Sequence, residues 1–224
     1  MEWFIFRMPL AFPAQAESQN LHIYRMNVES REIEQLTSLP GEEYSPAWSS
    51  DGERIAFSMD RATLYTMRAD GSDLQAHLED LPSADAPVWS PDGEWLAFHS
   101  TCPGEAIQSG DYTTCGLEEQ WFIHLMRLAD GHIESLTPLT SSIHNPASSP
   151  DGEWIAFSSR DGMIAPAALF RMCPDGSDAQ PLTFDPTLEH FYPRWVNVPD
   201  MDWRPIFLLI PALIFVAVGW RRDS

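Results

Sequence analysis

Residues 44–58 read YSPAWSSDGERIAFS, and the phrase returns as APVWSPDGEWLAFHS at residues 86–100 and as HNPASSPDGEWIAFSS at residues 144–159. Its turn aspartates, Asp51, Asp92 and Asp151, stand 41 and 59 residues apart. A period of about 40 residues built from strand-like units is that of propeller blades, because helical repeats of this length carry 3.6-residue patterning instead. Within each copy Ser-Pro-Asp-Gly, or Ser-Ser-Asp-Gly at Ser49, is turn chemistry: proline presets the first central position and glycine supplies the left-handed one. The flanks therefore read as two strands of a hairpin.

A second strand pair follows each hairpin, in LYTMRADGSDLQAHL from Leu64, WFIHLMRLADGHIESLT from Trp121 and LFRMCPDGSDAQPLT from Leu169. Asp-Gly again stands where antiparallel strands reverse. Four strands, A to D, make one blade, with A ending at Trp48, Trp89 and Ser148. One blade cannot bury both faces of its sheet, so blades must stack around an axis. HIYRMNVESREIEQLT from His22 reads as strands C and D without A and B, and FYPRWVNVPD from Phe191 as a strand A carrying Trp195. The expected fold is all-β: a small β-propeller of about four blades over residues 21–200, one blade split between the chain ends. That split blade has no clear strand B, which leaves an open ring, or a homo-oligomer that closes it, as alternatives. Trp48, Trp89, Trp95, Trp154 and Trp195 recur at the repeat period and are expected to fill space between blades.

The phrase PVWSPDGEWLAFHS, followed by a strand of the LYTMRADGSD kind and a closing Leu-Thr, resembles the repeats of the TolB propeller. The same repeat type occurs in the non-catalytic propeller of prolyl oligopeptidase-like peptidases. The resemblance covers residues 21–200 and implies an exported propeller that binds other proteins. The chain departs from it in carrying fewer repeats than a six-bladed ring requires and in ending on an apolar segment. Propellers host many unrelated activities, so the resemblance speaks for fold before function.

That apolar segment, PIFLLIPALIFVAVGW at residues 205–220, holds no charge. As a helix it would be roughly 24 Å long against a hydrocarbon core of ~30 Å. Trp203 and Trp220 at the interfaces and snorkelling Arg204, Arg221 and Arg222 would close the gap. The reading is a single-pass transmembrane helix with residues 221–224 as a cytoplasmic tail, since positive residues favour that side. The propeller then lies on the extracytoplasmic side, periplasmic or extracellular. Export needs a signal, and residues 1–20 offer an apolar stretch ending in Ala14-Gln15-Ala16, a degenerate signal peptide interrupted by Glu2 and Arg7.

Composition narrows the partners. The 224 residues hold 13 basic and 33 acidic side chains, a net charge of −20, and such a surface repels nucleic-acid backbones. Cys102 and Cys115 bracket an insertion between strands B and C of the second repeat, and outside the cell they would form a disulfide. With His99 and His124 they offer a zinc set instead, though the spacings match no compact finger. Cys173 is left over on a strand C. Motifs for a nucleophile elbow, a zinc helix or a phosphate loop do not occur, and the Asp-Gly-Ser-Asp turns lack the alternating acids of an EF-hand. No catalytic residue, metal or cofactor is assigned.

The B-to-C and D-to-A connections share one face, which carries the insertion and the long, varied loops. On that face Tyr44, Asp85, Asp111, Tyr112, His144, Arg160, His190 and Tyr192 are the candidate partner contacts, and the face is expected to point away from the bilayer. The functional expectation is a membrane-anchored protein-binding or scaffolding module, an accessory subunit of a membrane complex. The alternative is a hydrolase or lyase with its site on the same face or in the central channel.

Overall fold

The computed structural model describes residues 10–15, 20–78, 81, 83–115, 121–136, 142–160, 167–183, 192–195 and 217–218, with the backbone alone at 104, 108, 114, 142, 160 and 217–218. Strands follow one another in chain order and pair with their sequence neighbours. The first sheet has three: β1 (Leu10–Gln15), β2 (Leu21–Met26) and β3 (Ile33–Gln35). The second has β4 (Glu43–Trp48), β5 (Arg54–Met59), β6 (Thr63–Arg68) and β7 (Gln75–His77). In the third are β8 (Asp85–Trp89), β9 (Trp95–Ser100), β10 (Phe122–Arg127) and β11 (Ile133–Ser135). The fourth holds β12 (Ser142–Ser148), β13 (Ile155–Arg160), β14 (Ala168–Met172) and β15 (Gln180–Pro181). All pairings within these sheets are antiparallel, as blades require.

The repeated turns act as read from the sequence. The Asp51 carboxylate accepts the Glu53 N–H at 2.9 Å, and the Ser49 hydroxyl oxygen accepts the Arg54 N–H at 2.9 Å. Asp92 with Ser90 and Asp151 with Ser149 repeat the arrangement. Gly52, Gly93 and Gly152 take φ of 72°, 72° and 74°, a region costly for side-chain-bearing residues.

Alternation along the strands then builds a core between successive sheets. Ile55, Phe57 and Met67 turn toward Ile23 of the first sheet, while Ala56 and Leu64 turn toward Trp89, Leu96, Phe98 and Met126 of the third. Ile123 meets Ile143, Ile155, Phe157 and Met172 at the next seam. Register repeats with the motif: Ile55 faces Met67, Leu96 faces Met126, and Ile155 faces Met172, each pair buried. Two residues on, rings meet across strands B and C: Phe57 with Tyr65 at 5.4 Å, Phe98 with His124 at 5.3 Å and Phe157 with Phe170 at 5.6 Å. Between blades, the Trp89 indole N–H donates to the Ala47 carbonyl at 3.0 Å and that of Trp195 to Ala147 at 2.8 Å. At Ser148 the repeat lacks its tryptophan, and a cleft of about 340 Å³ opens there between Trp95, Trp154, Pro91 and Leu125.

The first blade departs from expectation. It has a strand B, β1, pairing Leu10 with Met26 and Phe12 with Tyr24 in the register of the other blades. Leu10-Ala11-Phe12 is thus a fourth copy of Ile55-Ala56-Phe57, inside the segment expected to be a leader, and cleavage after Ala16 would remove it. Among the described residues the split blade is not seen. β16 (Arg194–Trp195) pairs in parallel with β17 (Ala217–Val218), and among the described residues no pairing joins it to the first sheet. Its indole bond to Ala147 seats β16 against the fourth blade, as that of Trp89 seats β8 against the second. Ala217 and Val218, within the expected membrane helix, are here extended. The rest of 205–220 lies outside the described residues, as do Trp203, Arg204, Trp220, Arg221 and Arg222. Among the described residues no helix is long and apolar enough to cross a membrane.

Candidate functional site

Strand A of each four-stranded blade carries a bulge near its start. Register slips between Tyr44 and Ala47, between Asp85 and Val88, and between His144 and Ala147. Ser45, Ala86 and Asn145 take φ of 52°, 50° and 55°, and each precedes a proline, Pro46, Pro87 or Pro146. Proline bars its predecessor from the ordinary helical region, and a bulge is the device that re-aims neighbouring side chains. Tyr192, φ 56° before Pro193, repeats that backbone conformation and proline just ahead of β16 and is 66% exposed. So Tyr44, Asp85 and His144 hold equivalent places on three successive blades, at one end of the strands.

The structure brings those three together through residues the sequence reading had not assigned to the face. The Tyr44 hydroxyl donates to Glu42, and the Arg61 guanidinium lies 4.8 Å over the Tyr44 ring. Arg61 Nε is 3.8 Å from Asp85 Oδ2. Asp85 Oδ1 accepts the Ser58 hydroxyl at 2.6 Å and the Ala86 N–H at 2.7 Å, so this buried carboxylate is fixed across the seam between two blades. His99 stands opposite Asp85 in register, and its Nδ1 accepts the Asn145 N–H at 3.3 Å. Its ring meets Trp121 edge-on at 4.8 Å and His144 at 5.9 Å, while Trp121 and His144 lie 5.3 Å apart. Tyr44, Arg61, Asp85, His99, Trp121 and His144 thus form one band across three blades.

Electrostatics follow from burial. His99 is pushed down to about 4, chiefly by loss of solvent, with His144 and Arg61 adding to the effect and Asp85 opposing it. Near neutral pH it is an uncharged imidazole. The Tyr44 hydroxyl is pushed up by its bond to Glu42 first and by burial second. His124, in the ring place that Tyr65 and Phe170 fill elsewhere, is fully buried and also pushed down to about 4 by burial. Its Nε2 meets the Cys102 carbonyl at 3.1 Å, and its Nδ1 has no partner.

The other face residues part company. Asp111 caps a 3-10 turn at Tyr112–Thr114, accepting the Thr113 N–H at 3.1 Å. Tyr112 and Ile107, the latter on α1 (Gly104–Ser109), pack against the core between the second and third blades, and Ala106 is buried. Cys102 and Cys115 are joined by a disulfide with Cα atoms 4.2 Å apart, which takes both sulfurs from the zinc set. The insertion is therefore pinned down and covers a seam. Cys173 is free and half-buried. Arg160 closes β13 opposite Ser142. His190 lies outside the described residues. A signal for one missed member, His99, existed: each residue before the bulge faces the fourth residue of the Ile/Leu-Ala-Phe-Ser/His strand, giving Tyr44–Ser58, Asp85–His99 and His144–Ser158.

No family model matches the chain, and no curated protein does. Solved structures do. A protein from Agrobacterium tumefaciens assigned as TolB is similar over 79% of this chain and 61% of its own, at 23% identity and a TM-score of 0.61. TolB from Acinetobacter baumannii matches over 79% of this chain and 41% of its own, at 20% identity and a TM-score of 0.61. An oligogalacturonate lyase from Vibrio parahaemolyticus matches over 77% and 48%, at 16% identity and a TM-score of 0.56. The chain spans 41% to 61% of the length of these structures. The likeness shows a TolB-type propeller fold.

Proposed function

We propose that the chain is a protein-binding or scaffolding propeller held at a membrane, with the bulged face as its docking surface. One observation carries this reading: the band of Tyr44, Arg61, Asp85, His99, Trp121 and His144 presents arginine and aromatic side chains across blade seams. Such side chains dominate the energetics of protein interfaces. A TolB-like fold fits a protein-binding role, the disulfide suits an oxidising compartment, and the net charge of −20 favours basic partner surfaces. The apolar run 205–220 supplies a single-pass anchor with its arginines on the cytoplasmic side and the propeller outside. In lipid, a helix there satisfies its own backbone and replaces the short pairing at Ala217–Val218. The natural context is an accessory subunit of a membrane complex.

A second reading rests on His99, buried between Asp85 and His144, together with the likeness to a lyase: a propeller hydrolase or lyase acting at the same face. One experiment separates the two. The tagged full chain is recovered from native membranes in mild detergent, beside a Tyr44→Ala/His144→Ala variant, and the intact assemblies are weighed. Docking predicts a stoichiometric protein partner that the variant loses. Recovery as a lone monomer that turns over a substrate would establish the second reading in its place.

A further inference from the structure

We propose that the cleft between the third and fourth blades is a binding site for a small aromatic cation, an indole-class ring with an alkylammonium tail. The repeat itself supplies the template for the ring. At the seam before it, the Arg54 guanidinium lies 4.5 Å over the Trp89 ring, whose N–H donates to the Ala47 carbonyl at 3.0 Å. At the seam after it, the Trp195 N–H donates to the Ala147 carbonyl at 2.8 Å. Between the two stands Ser148, in the place of Trp89 by register: Trp89 faces Leu96, and Ser148 faces Ile155. This seam carries a serine where its neighbours carry an indole, and the cleft of about 340 Å³ lies there.

The walls suit such a ring. Trp95 opens β9 as Arg54 opens β5, so the third blade offers an indole where the second offers a guanidinium. Trp95 and Trp154 both line the cleft and both are half-buried. Each is braced by an arginine of its own blade, Arg127 at 5.4 Å from the Trp95 ring and Arg171 at 4.0 Å from that of Trp154. The acceptor equivalent to those of Ala47 and Ala147 is the Val88 carbonyl, because Val88 faces Ala97 as Ala47 faces Ala56 and Ala147 faces Ala156. That carbonyl calls for a ring N–H. An apolar cavity of about 150 Å³ already holds benzene, and small-molecule sites begin near about 300 Å³, so the volume admits two fused rings and a short tail.

The charge of the tail follows from the polar groups beside those walls. Among the described residues that line the cleft, Asp92, Glu134 and Asp175 are carboxylates and none is basic. The Ser90 and Ser177 hydroxyls, first among the causes, hold Asp92 and Asp175 below the usual carboxylate value, so both are ionised at neutral pH. An ammonium group is attracted to such a site and a carboxylate is repelled. Pro91, Gly152 and Pro174 place the cleft at the Asp-Gly end of the strands, away from the candidate docking band, so the proposal does not rest on docking.

The test is equilibrium dialysis of tryptamine against the full chain in mild detergent, with detergent alone as the blank. Saturable binding of one tryptamine per chain is expected, with indoleacetate and the naphthalene analogue of tryptamine each at least tenfold weaker. Ser148→Trp, which fills the cleft from within, should weaken tryptamine at least tenfold while the chain unfolds at no lower temperature. Should that variant unfold early, Glu134→Gln decides: it leaves the walls in place, and should weaken tryptamine severalfold with no change in the binding of indole. No saturable binding at millimolar tryptamine, or binding that both variants leave intact, would overturn the proposal. Tighter binding of N-acetyltryptophanamide, the neutral peptide form of the ring, would overturn it in favour of a partner protein's side chain.

Discussion

His124 sits where other blades place Tyr65 and Phe170, and that single exchange turns an apolar ring pair into a titratable one. Its pKa of about 4, like that of His99, lies below the ordinary 6.5. Between those values the unfolded chain binds protons that the folded chain refuses. The stability associated with the neutral rings is thus complete above about 6.5 and is lost as pH falls toward 4. Thermal unfolding should therefore move several degrees lower at pH 5 than at pH 7. His124→Phe restores the repeat and should shrink that difference; an unchanged pH slope in the variant would show that His124 contributes nothing to it. The turn carboxylates act further into acid. Asp51 and Asp92 are held below the usual carboxylate value, by the Ser49 and Ser90 hydroxyls first, so their contribution is full above the ordinary 3.8 and fades only on further acidification.

Elements show best what the sequence does and does not reveal. The hairpins of the middle blades are legible because each carries its own turn chemistry: Asp51, Asp92 and Asp151 announce the reversal whatever surrounds them. β1 carries the same apolar triplet, Leu10-Ala11-Phe12, but no Asp-Gly precedes it, and an apolar run ending in small residues also fits a leader. Only pairing with Leu21–Met26 distinguishes the two. The bulges were hidden for another reason: Ser45, Ala86 and Asn145 share no side chain, only a following proline. Two expectations belong here. Ser148→Trp should fill the cleft between the third and fourth blades and, by analogy with Trp89, donate to the Val88 carbonyl. We expect a gain of about 1 kcal/mol in chemical denaturation, within the usual reach of cavity filling; a loss would mean the cleft is shaped for something else. Cys115→Ser opens a loop of 13 residues and should cost about 3 kcal/mol on the chain-entropy account, read by the same denaturation.

At the scale of the molecule, the described residues set a three-stranded sheet and three four-stranded blades in chain order, with β16 against the fourth. The repeat decides that order; the Asp-Gly turns of the repeated phrase lie at one end of the strands, while its outer ends contribute Tyr44, His99 and His144 to the candidate band at the other. The candidate docking band lies at the other end of the strands, where bulges turn Tyr44, Asp85 and His144 toward Arg61, His99 and Trp121. Sequence reading proposed this face and named three of the six band residues, Tyr44, Asp85 and His144, because loop variety marks a face; Arg61, His99 and Trp121 join them only through contacts across strands and seams that register brings together. The insertion, the most conspicuous break in the repeat, proves to cover a seam through Ile107 and Tyr112. The docking account is tested most directly by cross-linking mass spectrometry of the full chain in its native membrane. It predicts that links to a partner map to residues 42–44, 58–62, 83–86 and 144. Links confined to the Asp-Gly turns at residues 51–54, 92–95 and 151–154, with the 55–62 end of that blade and the other band residues unmodified, would contradict it.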